Sequence, residues 1–223
     1  YDAAQLMPSP AVRVIHNFVD FAHFDRALSG DPVRRELGIA KDAPLVGMVG
    51  GLRDVKGTPV FLAAAARVRQ SAPTARFLVV GVAPEDRPAL DAAARAEGLG
   101  ADTLCATGVR EDIPAVLAAL DVLVFPSTVP HFARPVIEAG AMAKPVIASE
   151  LGGPAELVKD GATGLLVPPR DPAALAEGVL ALIREPARAR AMGEAGYAHA
   201  REHFDARTQV ARTVAVYREL VPG

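Results

Sequence analysis

Three segments bounded by glycine or proline bring together residue types suited to holding an anion and a polyol. The first, Gly47-Met48-Val49-Gly50-Gly51-Leu52-Arg53-Asp54-Val55-Lys56-Gly57, follows an apolar run and leads into a helical pattern. Its glycines let backbone amides approach a ligand, while Arg53, Lys56 and a helix start offer positive potential to a phosphate. Lys56 is followed by Gly57, which breaks the G-x-x-x-x-G-K-[ST] spacing, and G-x-G-x-x-G is absent as well. From the residues alone, a phosphate site and a glycine turn with two solvated cations are equally good readings.

The second segment runs from Phe125 through Pro126, Ser127, Pro130, His131, Arg134, Pro135 and Val136 to Glu138 and Ala139. An apolar strand ends at Pro126, and Pro135 is placed to open a helix whose free amides face an anion. Glu138 is expected in that helix's first turn. A carboxylate there either complements the helix dipole or accepts hydrogen bonds from two sugar hydroxyls, as acidic residues do for ribose in dinucleotide folds. The third segment, Gly152-Gly153-Pro154-Ala155-Glu156-Leu157-Val158, is a glycine turn opening a short helix and by itself reads as architecture.

Other reactive side chains carry less. His199 and His203, with Glu202, match H-x-x-E-H and set two imidazoles one helical turn apart, but the pattern sits in a helical tail with no third ligand, so no metal site is assigned. Cys105, in an apolar run, reads as a small packed side chain rather than a nucleophile. His16 and His23 have no evident partner in the sequence.

These residues need elements to position them. Apolar runs at Val14–His16, Pro44–Val49, Arg76–Val82, Thr103–Ala106, Val122–Phe125, Pro145–Ala148 and Gly164–Val167 alternate with stretches of helical period. Most lack polar alternation, as strands buried on both faces do, which predicts a doubly wound parallel α/β sheet of Rossmann-like type with helices on both faces. Phe61, Ala64, Ala65 and Val68 fall on one helix face, as do Leu175, Val179, Leu182 and Ile183. Asp31-Pro32 and Asp171-Pro172 each place a capping acceptor before a proline, and Gly38 supplies a left-handed stop. From about Leu175 the chain reads as consecutive helices broken near Pro186 and Phe204, the last striped by Val210, Val214, Tyr217 and Val221.

The 223 residues are 51% hydrophobic and 22% charged, which excludes a disordered chain and makes a folded domain with a helical tail. A single cysteine excludes a disulfide framework and fits a reducing compartment. With 24 basic and 26 acidic residues, the chain lacks the positive excess of a non-specific nucleic-acid binder. No apolar run approaches the roughly 20 residues that span a bilayer. The expected location is cytoplasmic. The start at Tyr1 reads as a cut within a longer polypeptide.

Taken together and in order, these segments resemble the C-terminal, donor-binding domain of retaining GT-B glycosyltransferases of family 4 type. "VIHNFVDFAHF" is similar to the family's V-I-P-N-G-V-D-x-x-x-F, and "GGLRDVKG" to its G-N-L-R-x-V-K-G variant. "GVREDIPAVLAALDVLVFPS" resembles the stretch before the donor site, and "RPVIEAGAMAKPVIASELGGPAELVKDGATGLLVPPRDPAALAEGV" its most diagnostic block. The likeness runs from about Val14 to Leu220.

The resemblance implies one domain over residues 1–223. About 1–20 would lead from a missing N-terminal Rossmann-like domain, and about 204–223 would form the C-terminal helix. It implies that Gly50, Gly51 and Lys56, with Arg53, hold the diphosphate of a nucleotide sugar. Glu138 would take the ribose hydroxyls, amides at Arg134, Pro135 and Val136 would meet phosphate, and Gly108, Val109 and Arg110 would line the base. The reaction implied is glycosyl transfer to an acceptor hydroxyl with retention, without a metal or other cofactor. Acceptor-side catalytic residues would lie in the missing domain. Two positions depart from the pattern: Gly51 stands where an arginine is commonest, and Pro130 where the first glutamate of Glu-x7-Glu would contact the transferred sugar, with His131 adjacent to supply a hydrogen bond. They leave a second reading, a catalytically degenerate nucleotide-binding or scaffold domain. A third, an unrelated dinucleotide-binding module, is opposed by the missing G-x-G-x-x-G.

Overall fold

Runs of Val, Leu, Ile and Phe too short for helices become strands, and the computed structural model, which describes residues 13–220, forms six of them. They are β1 (Leu45–Val49), β2 (Arg76–Val80), β3 (Leu104–Thr107), β4 (Val122–Phe125), β5 (Val146–Ser149) and β6 (Gly164–Val167). All pair in parallel in the order β3-β2-β1-β4-β5-β6, with Val46 opposite both Phe77 and Val122. The doubly wound sheet expected from the sequence is therefore present.

The run at Val14–His16 is a correction, because it forms no strand. Val14 and Ile15, flanked by Arg13 and His16, offer too short an apolar face to add to the sheet. The segment is held further on, where Val19 donates its amide to Phe204 O and accepts from Ala206 N.

Helices α1 (Asp31–Glu36), α2 (Thr58–Ser71), α3 (Arg87–Ala96), α4 (Ile113–Ala119), α5 (Arg134–Ala141), α6 (Gly153–Leu157), α7 (Pro172–Arg184), α8 (Pro186–His203) and α9 (Ala206–Leu220) are the α-helices of the described residues. Strand residues alternate between two cores. Val46, Met48, Phe77, Val79, Val122, Val124 and Ile147 meet Phe61, Ala64, Ala65 and Val68 of α2 and Leu175, Val179 and Leu182 of α7. Leu45, Leu78, Val80, Leu123, Phe125, Val146 and Ala148 meet α1, α4 and α5 on the other face. Helix α8 serves both, with Ala189 and Met192 in the first core and Ala200 in the second.

The two Asp-Pro pairs behave differently. Asp171 caps α7, its Oδ1 accepting from the amides of Ala173 and Ala174 at 3.0 and 2.9 Å. Asp31 does not cap α1, because the helix starts one residue early with Gly30 at its N-cap. Its own amide instead donates to Ser29 Oγ at 3.2 Å. Gly38 stops the chain after α1 at φ 64°. On α9, Val210, Val214 and Tyr217 are exposed as a stripe, and Val221 lies outside the described residues.

The strand order places a functional crevice. From β1 the chain winds outward through β2 and β3, and from β4 it winds the other way through β5 and β6. Loops leaving the C-terminal ends of β1 and β4 therefore part company and leave a cleft between them, the position where open α/β sheets hold ligands.

Candidate functional site

The glycine turn lies at the end of β1. The amides of Gly50 and Gly51 both donate to Val80 O, at 3.0 and 2.9 Å, which ties the turn to β2. Gly51 has φ 67°, and a Cβ there would overlap the carbonyl oxygen of Gly81, so this turn admits only glycine where the resemblance most often has arginine. Thr58, fully buried at the start of α2, donates Oγ1–H to Gly51 O at 2.8 Å and accepts from Arg53 N at 3.3 Å. Sequence reasoning did not single out Thr58; its one signal was a hydroxyl directly after the closing glycine.

After the turn, a 3-10 segment at Asp54–Lys56 packs against the loop from β4. Val55 O accepts from Ser127 Oγ at 3.0 Å and from Thr128 N at 3.1 Å, while Thr128 Oγ1 donates to Asp54 O at 2.9 Å. Gly57, at φ 75°, comes so near Pro126 O that any Cβ would collide with it. The two loops are thus locked together across the crevice.

Within that frame, Lys56 Nζ donates to His131 Nε2 at 2.8 Å. The imidazole Nδ1 lies 3.0 Å from Val129 O and 3.2 Å from Ser127 Oγ. Both side chains rest near Phe125, whose ring centroid is 5.6 Å from Nζ and 5.3 Å from the imidazole centroid. Partial burial, and secondarily the nearby Arg53 guanidinium, push the Lys56 ammonium below the usual lysine range.

Helix α5 begins at Arg134, with Ala133 as a cap that supplies no side-chain acceptor. The expected row of free amides is shorter than the sequence suggested. Pro135 has no N–H, and Val136 N already donates to Ala133 O at 3.0 Å in a tight first turn, which leaves the amide and guanidinium of Arg134. Glu138 is also corrected. It lies in the second turn, beyond the reach of the dipole effect expected of a first-turn carboxylate. Its side chain is only 12% exposed, and its one ion-pair partner among the described residues is Arg134 at 3.5 Å. Burial raises the Glu138 carboxyl above the ordinary range, opposed by Arg134 and more weakly by His23. The result is a carboxylate with spare acceptor capacity held at the crevice.

The third segment turns out to seat the second. A Cβ on Gly152 would lie 2.7 Å from Pro130 Cβ, and one on Gly153 would overlap His131 O, so this glycine pair permits the His131 loop its position. At the end of β3, Gly81 N donates to both Thr107 O and Gly108 O, and Val109 is exposed. The Arg110 guanidinium is occupied instead by Glu36 and Asp112, with four hydrogen bonds of 2.6–2.9 Å that hold it strongly protonated. Gly108 presents backbone there, and Val109 presents an exposed apolar side chain.

The remaining candidates lie elsewhere. His199 and His203 have ring centroids 4.5 Å apart, and among the described residues no group of three or more His, Cys, Asp or Glu side chains could hold a metal. Cys105 is half-buried in β3. His16, unassigned from the sequence, packs its ring on Phe132 and Phe204. Among the described residues, no helix is long and apolar enough to cross a membrane.

Comparison with known proteins places this arrangement. Residues 31–199 match the family described as Glycosyl transferases group 1. The chain is 35% identical over 182 residues to a D-inositol 3-phosphate glycosyltransferase of Segniliparus rotundus, covering 75% of this chain and 38% of that protein. It is 33% identical over 224 residues to an alpha-maltose-1-phosphate synthase of Mycolicibacterium smegmatis, covering 94% and 57%. Among solved structures it is similar to Anabaena HepE in complex with UDP and glucose, with TM-score 0.81 and 28% identity over 91% of this chain and 56% of the other. It is also similar to the C-terminal domain of a glycosyl transferase group 1 protein of Francisella tularensis, with TM-score 0.74 and 26% identity over 84% of this chain and 99% of that one. The chain spans about half the length, or less, of the curated relatives it matches. It belongs to the glycosyl transferases group 1 family and has the fold of that family's C-terminal domain.

Proposed function

We propose that residues 1–223 form a single domain, the donor-binding half of a retaining glycosyltransferase of family 4 type. It would take a nucleotide diphosphate sugar and pass the glycosyl group to an acceptor hydroxyl held by a second, N-terminal Rossmann-like domain. The observation that carries this reading is the meeting of the loop after β1, which holds Gly50, Gly51 and Lys56, with the loop that leads from β4 into α5, through Lys56–His131 and the bonds of Ser127 and Thr128 to Val55 and Asp54. The HepE complexes with UDP and with UDP-glucose support it from outside the chain.

In this reading Lys56, Arg53 and the Arg134 end of α5 face the diphosphate, Glu138 accepts the ribose hydroxyls, and Gly108 and Val109 flank the base. These cations supply the charge that stabilises a departing diphosphate, so the proposed reaction calls on no metal or other cofactor. No residue here is assigned to the acceptor side. Transfer needs an acceptor hydroxyl positioned at the anomeric carbon, and one half of a cleft cannot hold it. A binding-only role is the second reading, favoured by Pro130, which brings no carboxylate to the crevice.

Calorimetric titration with UDP, GDP and ADP tests the proposal. At least one should bind, weakly, because an open site leaves phosphates hydrated. Glu138→Ala should weaken that binding by roughly 1.5 to 3 kcal/mol, with Glu202→Ala silent. Absence of binding by all three nucleotides refutes the donor site. Efficient multiple-turnover transfer by this chain alone would refute the half-enzyme role.

A further inference from the structure

We infer that His131 is a positioning residue, which fixes the Lys56 ammonium for a diphosphate rather than touching the transferred sugar. The inference rests on the donor-site reading for its ligand, but its geometry stands apart from it. An ammonium has three donors and no acceptor, so in the 2.8 Å contact with Lys56 the imidazole Nε2 must accept. His131 then carries its proton on Nδ1, where Val129 O at 3.0 Å and Ser127 Oγ at 3.2 Å are both placed to accept it. Ser127, fully buried, donates Oγ–H to Val129 O at 2.8 Å or to Val55 O at 3.0 Å, which ties the imidazole's support to the glycine-turn side of the crevice.

Two further neighbours confine Lys56. Its stem runs over Gly50, where a Cβ would press on Cγ at 3.2 Å, and its head lies beside the Phe125 ring. The contact with His131 is the one side-chain hydrogen bond Lys56 makes among the described residues, and no ion pair competes for it. One of the three ammonium protons is therefore spent on holding position, and two remain for phosphate oxygens. Holding a lysine head in place before the ligand arrives removes an ordering cost from binding. A carboxylate in the same place would hold the lysine too, but it would repel the diphosphate. A neutral imidazole does not.

Two measurements decide the matter. In 15N-resolved NMR of the free protein, His131 should show the Nδ1–H tautomer with Nε2 as acceptor, and Lys56→Met should disturb that signature. An Nε2–H tautomer would overturn the inference whether or not any nucleotide binds, so this arm is independent of the donor-site reading. The second arm takes whichever of UDP, GDP or ADP binds, together with its nucleoside. His131→Ala should weaken the diphosphate about tenfold and leave the nucleoside unchanged. His131→Gln, whose Oε1 stands in for Nε2, should restore most of the loss. His131→Asn, which reaches only as far as Nδ1, should not. In a Lys56→Met background His131→Ala should cost nothing more, because its effect passes through the lysine. An undiminished loss in that background, or equal rescue by Gln and Asn, would overturn the role.

Discussion

Arg34 and Lys56 stand at opposite ends of the same two strands, and the difference between them separates mortar from machinery. At the N-terminal end, Arg34 is 8% exposed and all three of its guanidinium nitrogens are hydrogen-bonded. It donates to Ala119 O at 2.9 Å, Ala43 O at 2.8 Å and Asp121 Oδ2 at 2.8 Å, while the same carboxylate oxygen accepts from Leu45 N at 2.7 Å. That network joins α1, the start of β1 and the start of β4. At the C-terminal end, Lys56 is only half-buried and makes a single side-chain hydrogen bond among the described residues. A cation whose every nitrogen is already engaged stabilises the fold, whereas one held in place by a single bond is ready for an anion. Arg110 falls in the first class despite its place in an expected base-binding loop.

The sharpest way to break this contrast is at the glycines. Gly57→Ala at the crevice combines a positive φ with a clash against Pro126 O and should cost about 3 to 5 kcal/mol in denaturant unfolding. Gly38→Ala at the other end has the same kind of φ but open space around it, and should cost about 1 kcal/mol. Equal losses would mean that the two loops are not locked across the crevice. Next come the cations themselves. Arg34→Met should cost roughly 3 kcal/mol by stranding the carbonyls of Ala119 and Ala43, with nucleotide affinity intact in the folded fraction. Lys56→Met should change stability by less than about 1 kcal/mol and weaken nucleoside diphosphate binding at least about tenfold. Paired melts and titrations would expose an exchange of those roles.

Glu138 supplies a smaller, pH-dependent effect. Its folded carboxyl is raised above the unfolded value, so the folded state binds more protons between the two and stability falls as pH climbs through that window. Glu138→Gln escapes the loss. Unfolding from about pH 4 to about pH 7 should therefore show a Gln advantage that grows with pH and then levels. A glutamine variant less stable than the parent at neutral pH would show that the carboxylate is structural. The smallest contrast is between the caps: Asp171→Ala should cost about 1 kcal/mol and Asp31→Ala only a few tenths, both read from melting curves.

Much of the scaffold was legible in the chain itself. Uninterrupted apolar runs marked β1 to β6 to within two residues, because a strand buried on both faces has no choice but to be apolar throughout. The Asp171 cap and the buried faces of α2 and α7 follow from local periodicity in the same way. The Val14–His16 run failed because two apolar residues between Arg13 and His16 are too few to hold a place in the sheet, whatever their β-propensity. Glu138 fell in the second turn because a proline near a helix start does not settle which residue comes first.

What local pattern determined, then, was the set of elements, the glycine turns between them and the residue types available to an anion. What only the tertiary structure decided was which of those residues meet. Lys56 and His131 are 75 positions apart and Arg110 and Glu36 are 74. The first pair touches because β1 and β4 become neighbours at the switch point, and the second because α1 packs against α4, both choices made by non-local packing. Periodicity reports which face of an element is buried and carries no information about what it is buried against. That is why the sequence could offer Lys56 to a phosphate, and the resemblance could place Arg110 beside a base, without showing that Lys56 would meet an imidazole and Arg110 two carboxylates.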